Sequence, residues 1–146
     1  MTNKVETIVA AITTNMKAAG INTVYRWPED IQKIGNRYPL ALIKEEEQYF
    51  TLTSGQRYEY ELTLSITLVS DVLRNRMQYM NNLQVTVFNA LFATANLGGV
   101  VMHCNPVRVE MGGLVSGSDL SVYPGFSESA TYRKIEIKCL VEDSRL

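Results

Sequence analysis

The sequence predicts an α+β domain: a mostly antiparallel sheet of four to five strands with two main helices packed on one face. Three observations lead there. Two stretches carry apolar residues at helical spacing, others alternate apolar and polar residues, and glycine, proline and serine clusters separate them. The order is helix, strand, strand, helix, strand, strand. Short links and hairpins between strands favour antiparallel pairing, and two amphipathic helices can cover one apolar sheet face while the other stays polar.

The first helix rests on Val5, Ile8, Val9, Ile12, Met16 and Ala19, whose spacings of three and four make one apolar stripe. Thr2 and Asn3 are N-cap candidates, and Glu6 follows Asn3 by three, as a capping box requires. Gly20 is the stop, because glycine takes the left-handed conformation without strain. Ile21 to Trp27 reads as an extended connection. Pro28, Glu29 and Asp30 suit the first turn of a short helix through Ile34, ended by Gly35-Asn36. Pro39-Leu40-Ala41-Leu42-Ile43 opens a strand, and Glu45-Glu46-Glu47 interrupts the apolar run as a solvated end or hairpin region.

Arg57 to Val69 is the clearest element. Tyr58, Tyr60, Leu62, Leu64, Ile66 and Leu68 alternate with polar residues, so one face is buried. Ser54-Gly55 before it predicts a hairpin with Gln48–Thr53. Ser70-Asp71 caps a long helix carrying Val72, Leu73, Met77, Met80, Leu83, Val87, Leu91 and Ala95, and Gly98-Gly99 stops it. Val100 to Met111 is a strand, and Pro106 inside it demands an edge position or a bulge. Gly112 to Ala130 breaks all periodicity with glycine and serine, the pattern of a functional or mobile loop. The last strand, Tyr132 to Val141, turns Ile135, Ile137, Cys139 and Val141 one way and Lys134, Glu136 and Lys138 the other. One domain spans residues 1–146, with a flexible loop near 112–130.

Composition narrows the function. Fourteen basic against fifteen acidic residues, a net charge of -1, argue against a protein that coats nucleic acid, which needs a positive excess. With one histidine and two cysteines, and no CxxC or HxxxH spacing, a zinc site from Cys and His alone is out of reach within one chain. No cofactor and no metal is expected. The N-terminus does not read as a signal peptide, and no apolar run approaches the roughly 18 residues of a membrane span. The expectation is a soluble product made in the cytoplasm, with no membrane partner.

No candidate group converges on catalysis. His103 and Cys104 are neighbours on a strand and point to opposite faces, so they cannot form a dyad. Cys104 and Cys139 read as two buried thiols on neighbouring strands, with a disulfide as the alternative. Glu45, Glu46 and Glu47 read as a solvated bend rather than a cation site. Glu59 and Glu61 share a face with Arg57, which suits cross-strand or inter-subunit ion pairs. Gly98-Gly99 and Gly112-Gly113 match no phosphate loop. Aromatic residues, with eight Tyr and one Trp in the chain, cluster in loops or near strand ends, as at protein interfaces.

The whole pattern resembles the tail terminator (tail-completion) proteins of long-tailed bacteriophages. Four parts carry the resemblance between Val5 and Val141. They are the N-terminal amphipathic helix, the Pro39–Ile43 strand after Trp-Pro-Glu-Asp, the long Tyr58–Leu64 strand leading into a long helix, and the Tyr123-Pro124-Gly125-Phe126 turn before the closing strand. The resemblance implies a structural virion protein and not an enzyme. Its subunits would form a ring, hexameric by family, on the last ring of the tail tube at the tail–neck junction. The ring would stop tail growth and offer the surface for head joining. Its partners would be further copies of itself, the tail tube protein and a neck or head-closure protein, with genome DNA passing unread through the lumen. A head-closure or adaptor protein of the neck, or a small oligomeric ligand-binding α+β domain, are the alternatives. Candidate contacts are Glu45, Glu46 and Glu47 at the acidic bend, and Arg57, Glu59 and Glu61 on the long strand. Ser116, Ser118, Asp119, Tyr123 and Phe126 add the loop.

Overall fold

A computed structural model describes residues 4–21, 23–30, 34–35, 37–55, 57–123 and 125–144. Lys4–Ala18 form helix α1, which buries Ile8, Val9, Ile12 and Met16, the stripe its spacing predicts. Gly20 follows at φ +90°. The expected caps, Thr2 and Asn3, lie outside the described residues. Strands β1 (Thr23–Trp27), β2 (Leu40–Ser54) and β3 (Arg57–Ser70) come next, then helix α2 (Arg76–Leu91), β4 (His103–Glu110) and β5 (Thr131–Ser144). The five strands form one sheet in the order β1-β2-β3-β5-β4. All pairs are antiparallel except β1 with β2, so the fold is α+β with a mostly antiparallel sheet. Among the described residues no helix is long and apolar enough to cross a membrane.

β3 is the centre of the core. Leu62, Leu64, Ile66 and Leu68 turn to the helix-covered face and are almost fully buried among Ile135, Ile137, Cys139 and Val141 of β5 and the apolar stripes of α1 and α2. Each such side chain contributes roughly 1.5–3 kcal/mol by leaving water. The opposite face is polar only in part. At one end Tyr25, Leu40, Leu42 and Val69 form a second apolar cluster, covered by Val115, Phe126 and Ala130 of the 112–130 segment.

Several elements differ from the sequence reading. Thr23–Trp27 is a strand, not a connection: five residues are too few to show alternation, and the strand forms by pairing in parallel with Leu40–Lys44. β2 runs on through the glutamates, because the register shift between Glu45 and Glu47 leaves Glu46 as a bulge and the ladder with β3 resumes. Residues 28–30 make a turn, in which Asp30 Oδ2 accepts from the Arg26 amide at 2.8 Å. Residues 31–33 and Asn36 of the expected short helix lie outside the described residues.

The second helix is shorter at both ends. Ser70 Oγ accepts from the Val72 amide at 3.1 Å, a local turn that spends the expected cap, and the helix begins after Asn75 at φ 55°. At its end, Thr94 Oγ1 and Asn96 Oδ1 accept from Gly98 and Gly99 amides at 2.7 and 3.0 Å, so side chains organise turns before the glycines are reached. β4 lies at the sheet edge with a register shift between Pro106 and Arg108, the two devices that proline requires. The 112–130 segment contains two short 3-10 turns, at Val115–Gly117 and Asp119–Val122, and its Val115, Phe126 and Ala130 are buried.

Arg133 of β5 is fully buried beneath α2, where Asn81 Oδ1 and Gln84 Oε1 accept from its Nη1 at 2.7 and 2.9 Å. Burial pushes its pKa down, and Nε and Nη2 have no partner among the described residues.

Candidate assembly surfaces

The Glu46 bulge sorts the acidic run onto two faces. Glu45 stays opposite Leu64 on the helix-covered face and pairs with the Arg26 guanidinium. Arg26 also bonds Glu6 of α1, at 2.9 Å from Nη2 to Oε1, and lies 3.8 Å from Glu29. One guanidinium, 16% exposed, therefore ties α1, β1 and β2 together. Its charged form is held well above the usual range, chiefly by the bonds to Glu6, then Glu45. The same bond holds the Glu6 carboxyl below its ordinary value.

A group with a lowered folded pKa adds stability above its unfolded value and loses it as pH falls through the folded one. Glu6 thus makes α1 docking acid-sensitive below about pH 4.3. Arg26→Met is expected to cost about 1 kcal/mol at neutral pH, because Glu6 and Glu29 are more than half exposed and water screens them. Thermal unfolding between pH 7 and pH 3 should also show a flatter acid limb in the variant.

Glu46 turns to the open face. It accepts from Ser65 Oγ at 2.9 Å and lies 3.8 Å from Lys44 Nζ and 3.9 Å from Lys134 Nζ. Lys44 also sits 4.7 Å above the Trp27 ring. Beside this network the sheet and the 112–130 segment border an open cleft of about 180 Å³. Its walls include Trp27, Lys44, Lys134, Asp119, Tyr123 and Tyr132. Burial, then Glu110 and Asp119, push the Tyr132 hydroxyl up. Drug-sized ligand pockets run to roughly 300–1,000 Å³.

The other sequence-predicted residues scatter. Glu47 is exposed on β2 just past the bulge, opposite Thr63. Arg57 pairs with Glu142 across the β3–β5 ladder, and Glu59 sits opposite Glu142 in register, so Arg57 offsets two like charges within the protomer. Glu61 faces Tyr49 on one side and Leu140 on the other. Ser116 and Asp119 are exposed on the loop, and Ser118 Oγ accepts from the Leu120 amide at 3.2 Å, capping a short turn. Tyr123 is half-buried at the cleft rim, 5.7 Å from Phe126. Phe126 is only 7% exposed, so its ring is used inside the protomer, holding the loop against Leu40 and Ile34. His103 is exposed and Cys104 buried, on opposite faces of β4. Among the described residues no three His, Cys, Asp or Glu side chains gather into a metal-holding group.

No family model matches the chain, and no curated protein does. Among solved structures it is similar to the sheath/tube terminator of an extracellular contractile injection system, PVC, in the extended state. Identity is 12%, the TM-score is 0.48, and the match covers 94% of this chain and 57% of that one. This chain thus spans little more than half of that protein's length.

Two surfaces went unmarked in the sequence. Among the described residues β1 pairs with Leu40–Lys44 alone, so β2 beyond Lys44 has no strand on its outer edge. There Tyr49 is 62% and Phe50 50% exposed, with the Phe50 ring tilted against Tyr60 at a centroid distance of 5.1 Å. β4 is the opposite edge, where Met102, Val107 and Met111 are each 50% exposed along or beside the strand. Alternation in β2 was broken by the glutamates, which hid its edge, and in β4 Pro106 offered an edge or a bulge without marking the surface beside it.

Proposed function

We propose that this chain is a structural ring subunit, a tail terminator at the head-proximal end of a tail tube. The observation that supports the reading is the pair of unlike sheet edges on one protomer, β2 beyond Lys44 and β4 beyond Cys104, with no further strand beside either among the described residues. An edge offers unpaired backbone groups and invites another strand. One edge here is acidic near Glu47 and aromatic at Tyr49. The other carries Val107 with Arg108, and exposed Lys138 lies on the neighbouring strand. Such surfaces complement each other between copies, not within one, and head-to-tail contacts of that kind close into a ring when the rotation allows. The resemblance over Val5 to Val141 supplies the rest. The ring is hexameric, stops tail growth, and presents Ser116, Asp119 and the loop to the tail tube or to a neck protein. Near-neutral charge suits a lumen that genome DNA slides through. The particle location is the tail–neck junction.

Electron microscopy of particles assembled without the chain tests this. Tails of uncontrolled length are expected. Tails of normal length without heads would instead assign a head-closure or adaptor role. Light scattering of the purified chain with tail tube protein should give six protomer masses, and a protomer that stays single under those conditions overturns the ring.

A further inference from the structure

Cys104 and Cys139 face each other in register across β4 and β5. The Cys139 thiol donates to Cys104 Sγ at 2.8 Å, and both side chains are buried in the main core cluster. The Cys104 amide turns away from β5 and donates to the Ala95 carbonyl at 2.6 Å. That outward amide marks a non-hydrogen-bonded antiparallel pair, where Cα atoms approach to about 4.5 Å. A disulfide accepts Cα separations of roughly 4.4–6.8 Å, so this position closes without backbone rearrangement. The two strands differ in access. β5 is inside the sheet, whereas β4 is an edge strand interrupted at Pro106 and paired on one side only. Edge strands open locally at lower cost than central ones.

We propose that Cys104 and Cys139 form a thiol–disulfide modification site, with Cys104 as the entry thiol for a small-molecule disulfide and Cys139 as the resolving thiol. The proposal is independent of the assembly reading. In the first step, with β4 transiently opened, the Cys104 thiolate attacks one sulfur of a disulfide such as oxidised glutathione. A bond forms from Cys104 to that sulfur, and the other half leaves as a thiolate that takes up the Cys104 proton. In the second step Cys139 Sγ attacks Cys104 Sγ, closing the Cys104–Cys139 bond, and the second glutathione leaves with the Cys139 proton. Two electrons pass to the oxidant, which becomes two free thiols. The hydrogen bond that Cys104 receives favours its thiolate and lowers its pKa, while the same bond raises that of Cys139, which agrees with the assigned order.

The product would staple the edge strand to the sheet. Incubating the folded chain with oxidised glutathione, then alkylating in denaturant, tests the site by mass spectrometry. The expected result is an unalkylated chain about 2 Da lighter, with Cys104 and Cys139 joined in one proteolytic fragment. Amide exchange over His103–Glu110 should slow on the order of tenfold or more. Cys139→Ala should stop at one glutathione on Cys104, and Cys104→Ala should stay unmodified while folded. Two alkylated thiols after prolonged oxidation of the native chain would overturn the site. A glutathione found on Cys139 in the Cys104→Ala chain would overturn the order.

Discussion

Gly112→Ala is expected to destabilise the chain by about 3–5 kcal/mol, as a special backbone position and a backbone clash combine. Gly112 has φ +72°, a conformation that costs an L-residue roughly 1–2 kcal/mol. A Cβ there would also meet the Tyr132 carbonyl oxygen at 2.1 Å, which is backbone and cannot swing aside. The neighbouring Gly113 carbonyl accepts from the Tyr132 amide at 3.0 Å, so the shift would pull on the junction of β5 with the loop. Gly125→Ala tests the loop's other anchor by space alone, because its Cβ would lie 2.0 Å from the Ile34 carbonyl oxygen. Its consequence is displacement of Phe126 and of the Ser127 amide, which donates to Tyr38 Oη at 2.8 Å. A loss of about 2–3 kcal/mol is expected there. The control is Gly117→Ala, where nothing lies within 4 Å and stability should hold within about 0.5 kcal/mol. Thermal unfolding separates the three. A domain this size loses roughly 2–4 °C in Tm per kcal/mol, so Gly112→Ala should melt about 6–20 °C early. A Gly112→Ala chain as stable as the Gly117→Ala one would show that the loop is not seated as described.

The second large effect concerns assembly. Val107→Asp places a carboxylate on the β4 edge, at the bulge where no β5 residue pairs with it in register. Tyr49→Ser removes the most exposed aromatic ring from the β2 edge. Both sites are at least half exposed, so each protomer should fold with stability changed by about 0.5–1 kcal/mol at most. Each change should weaken ring formation by on the order of tenfold to a hundredfold, the scale on which an interface anchor acts. The decisive experiment mixes the two variants. The Val107→Asp protomer keeps an intact β2 edge, and the Tyr49→Ser protomer keeps an intact β4 edge. One good contact can then form, and the surfaces left over are both damaged. Heterodimers without rings are expected by light scattering. Rings from either variant alone, or from the mixture, would show that the two edges are not the joined surfaces.

Much of this architecture was legible before any coordinates. α1 and β3 were readable because each has one wet face and one dry one, so its period is written in the side chains: three-and-four from Val5 to Met16, two from Tyr58 to Leu68. Pro106, which cannot donate to a ladder, marked β4 as an edge strand or a bulged one, and β4 is both. The failures share a cause. β1 exists because Leu40–Lys44 offers it a partner, α2 begins late because the Ser70 hydroxyl takes the Val72 amide in a local turn, and β2 crosses three glutamates because a bulge redistributes them. Each depends on an interaction that local pattern does not contain.

The candidate contacts divide in the same way. That Ser116, Asp119 and Glu47 reach water was legible. That Glu45 bonds Arg26, that Arg57 bonds Glu142 while staying exposed, and that Phe126 packs inside the protomer was not.

By itself, then, the sequence determined the class of fold, the faces of its main helices and central strand, and the scarcity of metal-binding and nucleophilic side chains. Those are properties of composition and short-range period. The tertiary structure decided strand order, and with it where the edges lie, which carboxylates Arg26 gathers, and that Cys104 meets Cys139. The physical reason is that edges, ion pairs and cross-strand contacts join residues far apart in the chain, and their positions exist only once the sheet has closed around its core.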